Sequence, residues 1–497
     1  MNLRPVIFAA AALALAIAAA PTARAQSQPA QTPAAESPWT RSIVTLEVAR
    51  KQYDFLQPWN TRNRSAVKTG IVIGPREVLT TAAEMFDRTL VRLQKDGAGE
   101  WWVGEVTWVD YHANLALVTT EAAAFWEGLE PVELRTAAAD AALQIARWRQ
   151  GNLELRRAEF TCYVVREAEL SGINHVMLAC DSDIVGLNGG EPLIANGHCA
   201  GLVTTQSGRA CTVTPASLIR SILEARRQGA YRGLGYFHWF WQPAVNLDSL
   251  ARLKLPGRPR GVIVIEVPER PDGAPTVMKV GDIILSIDGF EVDTSGNYRD
   301  PEFGRILIEN LSTRGKWAGD ESRLRVWRDG QELEVAYRLP KYEFTNALVP
   351  AARYDTPPEY LIVGGLVFVP LTDEFLQSWG PEWKRKAPFR LLYHRNQPRT
   401  REQPALILLS QMLPDPYNIG YQDQRLLVVQ KVNGQPISRL SQIQQALQQP
   451  VQGYHQFEFM PGDAIKRLVV KAGEEETEAT ARVLKRYGIR EARRLAD

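Results

Sequence analysis

The sequence is poor in histidine and cysteine, with 6 and 4 residues in a chain of 497. It contains no C-x-x-C and no H-E-x-x-H, and His198 beside Cys199 cannot hold a metal alone. No metal centre and no cofactor is therefore expected. Net charge is also scarce: 58 Lys and Arg stand against 56 Asp and Glu, and the balance is even once Arg4 and Arg24 are set aside. A chain so balanced has no long-range drive toward nucleic acid or an acidic membrane. Lys384-Arg385-Lys386 and the basic stretch 482–494 then read as solvated faces. Long apolar runs are absent after the first 25 residues, so no membrane span is expected in the mature chain.

The N-terminus is the exception. Arg4, an apolar run over 6–20 and Ala23-Arg24-Ala25 read as a secretory signal peptide cut after Ala25. That implies a periplasmic or secreted protein. Residues 26–40, rich in Pro, Ala, Gln and Ser, form a linker. Export permits disulfides, and Cys162, Cys180, Cys199 and Cys211 are the candidates, with three pairings open.

Short alternating strands dominate residues 41–215, as in Ile43-Val44-Thr45-Leu46-Glu47-Val48 and Leu115-Ala116-Leu117-Val118. Many short strands without long amphipathic helices predict a β-barrel or sandwich. Apolar Leu218, Ile219, Ile222 and Leu223 predict a helix over 216–228, stopped by Gly229. A second unit, 229–345, ends in two strands joined across Asp329-Gly330, a tight-hairpin pair. A third, 346–497, repeats its grammar: Ile287-Asp288-Gly289 is echoed by Val432-Asn433-Gly434, and 440–447 has helical periodicity. Trp101, Trp102, Trp239 and Trp241 read as residues of cores or contacts between domains, but His238-Trp239-Phe240-Trp241 is unusually aromatic and is a candidate to shape a ligand groove or an oligomer contact.

Three segments resemble, in order, the catalytic motifs of the Deg/HtrA serine proteases. Leu79-Thr80-Thr81-Ala82-Ala83 resembles the segment that ends in the catalytic histidine, with Ala83 in its place. Asn114, ahead of Leu115-Ala116-Leu117, stands at the aspartate. Gly186-Leu187-Asn188-Gly189-Gly190-Glu191-Pro192 resembles the nucleophile loop, with Asn188 at the serine. Downstream, Tyr231 to Tyr236 and residues 280–289 resemble PDZ domains, and residues 364–376, 408–421 and 432–434 resemble the degenerate second PDZ domain of the plant-type Deg branch. The resemblance implies a mainly β fold: a trypsin-like double β-barrel (41–228), a PDZ domain of mixed α/β type (229–345) and a degenerate PDZ-like domain with a C-terminal extension (346–497).

With Ala83, Asn114 and Asn188 in the triad positions there is no base, no charged orienter and no nucleophile, so acyl transfer fails. Gly186, Asn188 and Gly189 are expected to keep a pseudo-oxyanion turn able to hold an acyl oxygen. Gly233, Leu234, Gly235 and Tyr236 are the expected peptide-binding loop: amides for a C-terminal carboxylate, with Leu234 and Tyr236 shaping an apolar pocket. The partners implied are extended or C-terminal peptides, or a protein of the cell envelope, with homo-oligomers implied by resemblance. The alternative function is a serine-type endopeptidase or other hydrolase with a relocated site drawn from His112, His198 and Ser182.

Overall fold

The computed structural model describes residues 37–138, 141–270 and 272–495; the expected signal peptide and residues 26–36 of the linker lie outside them. From Ile43 the chain builds two closed six-stranded barrels. The first comprises β1 (Ile43–Tyr53), β2 (Thr61–Gly74), β3 (Glu77–Thr80), β4 (Arg88–Gln94), β5 (Trp102–Asp110) and β6 (Leu115–Thr119). Its order is β1-β2-β3-β6-β5-β4. The second comprises β7 (Leu143–Arg149), β8 (Asn152–Glu167), β9 (Asn174–Ser182), β10 (Pro192–Ala195), β11 (His198–Ser207) and β12 (Ala210–Pro215). Its order is β10-β11-β12-β9-β8-β7. Closure leaves no free sheet edge, and each barrel fills with the inward set of its alternating strands. Val44, Leu46, Val72 and Leu93 fill the first; Leu143, Ile145, Leu193 and Val213 fill the second.

The helix Ala216–Arg227 follows, one residue shorter than its periodicity predicts. It buries Leu218, Ile219, Ile222 and Leu223 against Ile71 and Leu79 of the first barrel and Leu202 of the second. A single amphipathic stripe thus seals the seam between the barrels.

The next sheet runs Phe240–Pro243, Val262–Glu266, Ile283–Ile287, Glu321–Arg328 and Gln331–Arg338 in that spatial order. Asp329 and Gly330 connect its last two strands with φ of 52° and 89°. Positive φ at both positions is what a two-residue hairpin of matching twist requires. The last sheet is built from seven strands between Tyr360–Val363 and Arg493–Arg494, with Gln435–Pro436 added at one side. The echoed pairs adopt one geometry in the two sheets: φ is 53° and 83° at Asp288-Gly289, and 50° and 80° at Asn433-Gly434.

In the basic stretch 482–494, Arg482, Lys485, Arg486, Arg490 and Arg493 are exposed as expected, and two arginines also make fixed contacts. Arg482 donates to buried Asp415 at 2.9 Å, and Arg494 lies over the ring of Tyr360. These contacts tie the C-terminal helix Glu474–Tyr487 and the final strand to the rest of the sheet. Lys384, Arg385 and Lys386 do sit exposed on a short helix. Among the described residues no helix is long and apolar enough to cross a membrane.

Candidate functional site

Ala83 follows β3, and Asn114 precedes β6, its antiparallel neighbour. Pairing these strands brings the two residues together: the Ala83 amide donates to Asn114 Oδ1 at 2.8 Å. Asn114 is 1% exposed, holds φ at 52°, and directs Nδ2 to Glu169 Oε2 at 3.4 Å. The nucleophile-like loop closes on the same place. A Cβ at Gly190 would meet Thr69 O at 2.1 Å and Thr80 Oγ1 at 2.6 Å, and one at Gly189 would meet Thr81 Oγ1 at 3.1 Å. The backbone approaches so closely there that only glycine fits.

Between these segments lies Lys68 of β2, 2% exposed. Its Nζ donates to Thr81 O at 2.9 Å, to Thr81 Oγ1 at 2.7 Å and to the carbonyl of Ala83. All three ammonium protons are thus placed. Burial pulls the amine down to about 8, against the opposing pull of Glu169, Glu191 and Glu84. Neither Lys68 nor Glu191 follows from local sequence pattern.

Glu191 is 1% exposed. Burial raises its carboxyl, while the Asn188 amide and Lys68 act the other way. Its Oε1 accepts the Asn188 amide at 2.9 Å. The Leu187 amide goes to Gln206 Oε1 at 2.9 Å, and the Gly190 amide to Val203 O at 2.9 Å. The expected pseudo-oxyanion turn at Gly186, Asn188 and Gly189 is corrected accordingly. All three residues are present in a tight loop, with φ of 76° at Gly186 and 87° at Gly189, but the Asn188 donor is spent on the loop's own carboxylate.

The relocated-site candidates do not meet. His198 Nδ1 faces Glu133 at 3.3 Å. Ser182 is fully buried and its Oγ accepts the Ile184 amide. His112 instead contacts Ser171 Oγ at 2.9 Å through Nδ1, and its ring stacks on Phe344. No sequence motif marks Ser171, which comes close only through the β8–β9 turn. The carboxylate nearest in sequence, Asp110, accepts the His112 and Ala113 amides and the Tyr231 hydroxyl, and among the described residues no carboxylate is hydrogen-bonded to the imidazole.

The disulfide expectation is also corrected: all four thiols are free. Cys162 is exposed on β8, and Cys199 is buried with its thiol donating to Gly201 O. Cys180 and Cys211 face each other across β9 and β12 and share a hydrogen bond between thiols.

The loop Gly233–Leu234–Gly235–Tyr236 is engaged internally. Gly233 O accepts the Ala318 amide, and Gly235 bridges to Lys341. Leu234, 1% exposed, packs in the same cluster as Trp317 and the helix that seals the barrels. Tyr236 packs edge-on against His238 and Tyr342. The apolar pocket expected at Leu234 is filled by the protein itself.

A cleft of about 1150 Å³ opens beside the Ala83 cluster. Its walls are the end of β1, the tip of the β1–β2 hairpin, the turn at Glu169–Gly172, and the segment from Tyr342 to Arg395. Tyr354 holds this last wall in place, its hydroxyl donating to Leu170 O and its ring lying on Tyr111 and Phe86.

Residues 349–494 match the family model of the PDZ domain. The chain is 26% identical over 477 residues to the chloroplastic protease Do-like 2 of Arabidopsis thaliana, covering 91% of this chain and 75% of that protein. It is 26% identical over 412 residues to the putative mitochondrial protease Do-like 3 of the same plant, covering 81% and 71%. Among solved structures, the HtrA-type protease AlgW with decapeptide aligns at 15% identity and TM-score 0.45, over 62% of this chain and 98% of that one. The serine endoprotease from Yersinia pestis aligns at 15% identity and TM-score 0.39, over 62% and 97%. With two closed barrels, a PDZ match over residues 349–494 and relatives at 26% identity aligned along most of its length, the chain is similar to the Do-like (Deg/HtrA) proteases, and its fold is mainly β, a double barrel followed by PDZ structure.

Proposed function

We propose that this protein is a Deg/HtrA protease homologue that binds polypeptide and does not cut it. One observation carries the reading: the Lys68 ammonium is anchored on the carbonyl of Ala83, at the position the resemblance assigns to the catalytic base. A buried ammonium accepts no proton, and a second one beside any imidazole disfavours the protonated form that general-base catalysis must pass through. Asn114 offers a hydrogen bond without charge, and Asn188 offers no attacking oxygen. In this proposal residues 41–228 are the pseudoprotease domain, 229–345 a first PDZ domain and 346–497 a second.

The binding role is supported by the PDZ match, because domains of that kind take an extended peptide along a sheet edge. Assembly as a homo-oligomer, and export to an envelope or extracellular space through residues 1–25, belong to the same proposal; the Arabidopsis relatives carry mitochondrial or chloroplastic names. The test is incubation of the purified mature protein with unfolded casein, followed by mass spectrometry of new termini. Intact casein is expected, together with its retention by the protein. Reproducible cleavage products would overturn the reading.

The contact between His112 and Ser171 is what favours a relocated hydrolase as second reading. It lacks a carboxylate on the imidazole, and the loss of that member alone costs about 10⁴ in rate in a complete triad.

A further inference from the structure

We propose that the two short helices Trp383–Lys386 and Phe389–Arg395 form a docking surface for an anionic lipid bilayer. Phe389 and Tyr393 enter the headgroup layer, and the lysines and arginines around them meet its phosphates. This surface acts independently of the binding of polypeptide.

The first observation is a concentration of one charge sign. Residues 383–401 hold seven lysines and arginines and no acid. Glu382 and Glu402 flank the stretch, and Glu382 pairs with Arg385 and Lys386. Asp463 and Asp373 reach into it to bind Arg390 and Arg395. The excess that remains is positive, in a chain whose totals are 58 basic and 56 acidic residues. Lys384, Arg385, Lys386, Arg395, Arg399 and Arg401 are all exposed. Neutrality of the whole chain removes long-range steering and leaves local attraction in place. The potential of an anionic leaflet fades within a Debye length of about 10 Å, so the charge that counts is the charge at the contact.

The second observation is a helix apolar on two opposite sides. Phe389 is 80% exposed and Tyr393 54%. Four residues apart, they share one face. Leu391, two positions from each, is buried in the core beneath the last sheet. A surface helix of a folded domain ordinarily turns its apolar stripe inward and a polar face to water. Here the inner side is satisfied by Leu391, and two aromatic rings stand on the outer side.

The shape selects the occupant. Phe389 projects, and neither it nor Tyr393 lines the nearby cleft. A single nucleic-acid strand is held in a basic groove that tracks its backbone; a projecting ring offers no such groove. A headgroup layer deforms around the ring. Aromatic side chains on the outer face, with Lys and Arg beside them, are the chemistry of helices that lie in a membrane interface. The long basic side chains bury their stems and keep their charges at the level of the phosphates. The cationic ends of Lys384 and Arg395 already lie 5.6 and 5.5 Å from the Trp383 ring, an arrangement of the same kind.

The test is flotation of the full mature chain with vesicles of phosphatidylglycerol and phosphatidylcholine in equal parts, against vesicles of phosphatidylcholine alone. Binding to the mixed vesicles is expected, with release by about 0.5 M sodium chloride. Phe389→Ser combined with Tyr393→Ser is expected to weaken it about tenfold, as is Lys384→Gln combined with Arg401→Gln. Ile419→Ser, at an apolar residue 71% exposed outside the patch, is expected to stay within twofold of wild type. No flotation by the wild type, or an aromatic double variant that floats as the wild type does, would overturn the proposal. So would binding of a labelled oligothymidylate that the aromatic double variant weakens while vesicles go unbound. Should a variant lose its fold by circular dichroism, an environment-sensitive nitrobenzoxadiazole label at Phe389→Cys, in a Cys162→Ser background, replaces it. A blue shift of its emission on the mixed vesicles is expected; unchanged emission overturns the proposal.

Discussion

Lys68 and Ala83, fifteen residues apart on neighbouring segments, are joined by a hydrogen bond from a buried ammonium to a backbone carbonyl. The amine titrates near 8 in the folded protein and near 10.5 when unfolded. Between these values the unfolded chain binds more protons, so raising the pH favours the folded state. Relative to Lys68→Met, the wild type should gain up to about 3 kcal/mol from pH 8 to 10.5. Urea unfolding of both proteins at pH 7.5 and 10 measures this; a constant difference would mean that the amine is not buried.

Restoring the triad letters alone should not restore cleavage. Ala83→His, Asn114→Asp and Asn188→Ser together leave Lys68 beside the new imidazole and Glu191 on the amide of residue 188. Casein cleavage is expected to emerge only when Lys68→Ser and Glu191→Ala are added. A gain of at least about tenfold over the triple variant is the sign to look for, since one oxyanion donor alone is worth about 10²–10³.

Ser171→Ala and His112→Ala separate a structural pair from a catalytic one. Each should cost about 1 kcal/mol of stability, the worth of an ordinary hydrogen bond, and change no hydrolytic readout. A fluorophosphonate probe should leave Ser171 unlabelled. Labelling there that vanishes in His112→Ala would reinstate the relocated hydrolase.

The Asp87 carboxyl is pushed up to about 6, first by burial and then by Asp355, against Arg50 and Lys51. The Asp87 amide donates to Asp355, which also takes the Tyr111 hydroxyl and lies near Arg88. A raised carboxyl holds its proton in the folded state between about 4 and 6, so the wild type gains on Asp87→Asn as pH falls through that window. Melting temperatures at pH 4.5 and 7.5 should show the wild type gaining on Asp87→Asn at the lower pH.

Features set by a few adjacent residues were legible in the sequence. Asp329-Gly330 turns as its chemistry requires, and the stripe over 216–227 forms the helix that its spacing implies. The echo of Asp288-Gly289 in Asn433-Gly434 is a repeat of backbone geometry as well as of letters. The site was legible only as three positions. Lys68 sits in a strand whose earlier residues, Arg62 to Ser65, face solvent, and no local pattern says that its side chain turns inward. Glu191 reads as a disturbance of a glycine loop, and only the fold reveals that its carboxylate caps Asn188. The loop at Leu234 failed as a predicted pocket because packing against Trp317 and the barrel helix, more than 80 residues away for Trp317, decides what covers it.

The tip of the β1–β2 hairpin places Phe55 and Trp59 against the core of the last sheet, where Trp59 meets Tyr360 edge-on, Gln411 reaches Leu56 O and Arg494 reaches Pro58 O. The bond from Arg494 to Pro58 spans 436 residues. At a synthesis rate of about 5–20 residues per second, its donor leaves the ribosome roughly 20 to 90 s after its acceptor. Cover over this arm therefore begins with the segment around Tyr360 and is complete only when the last strand is in place.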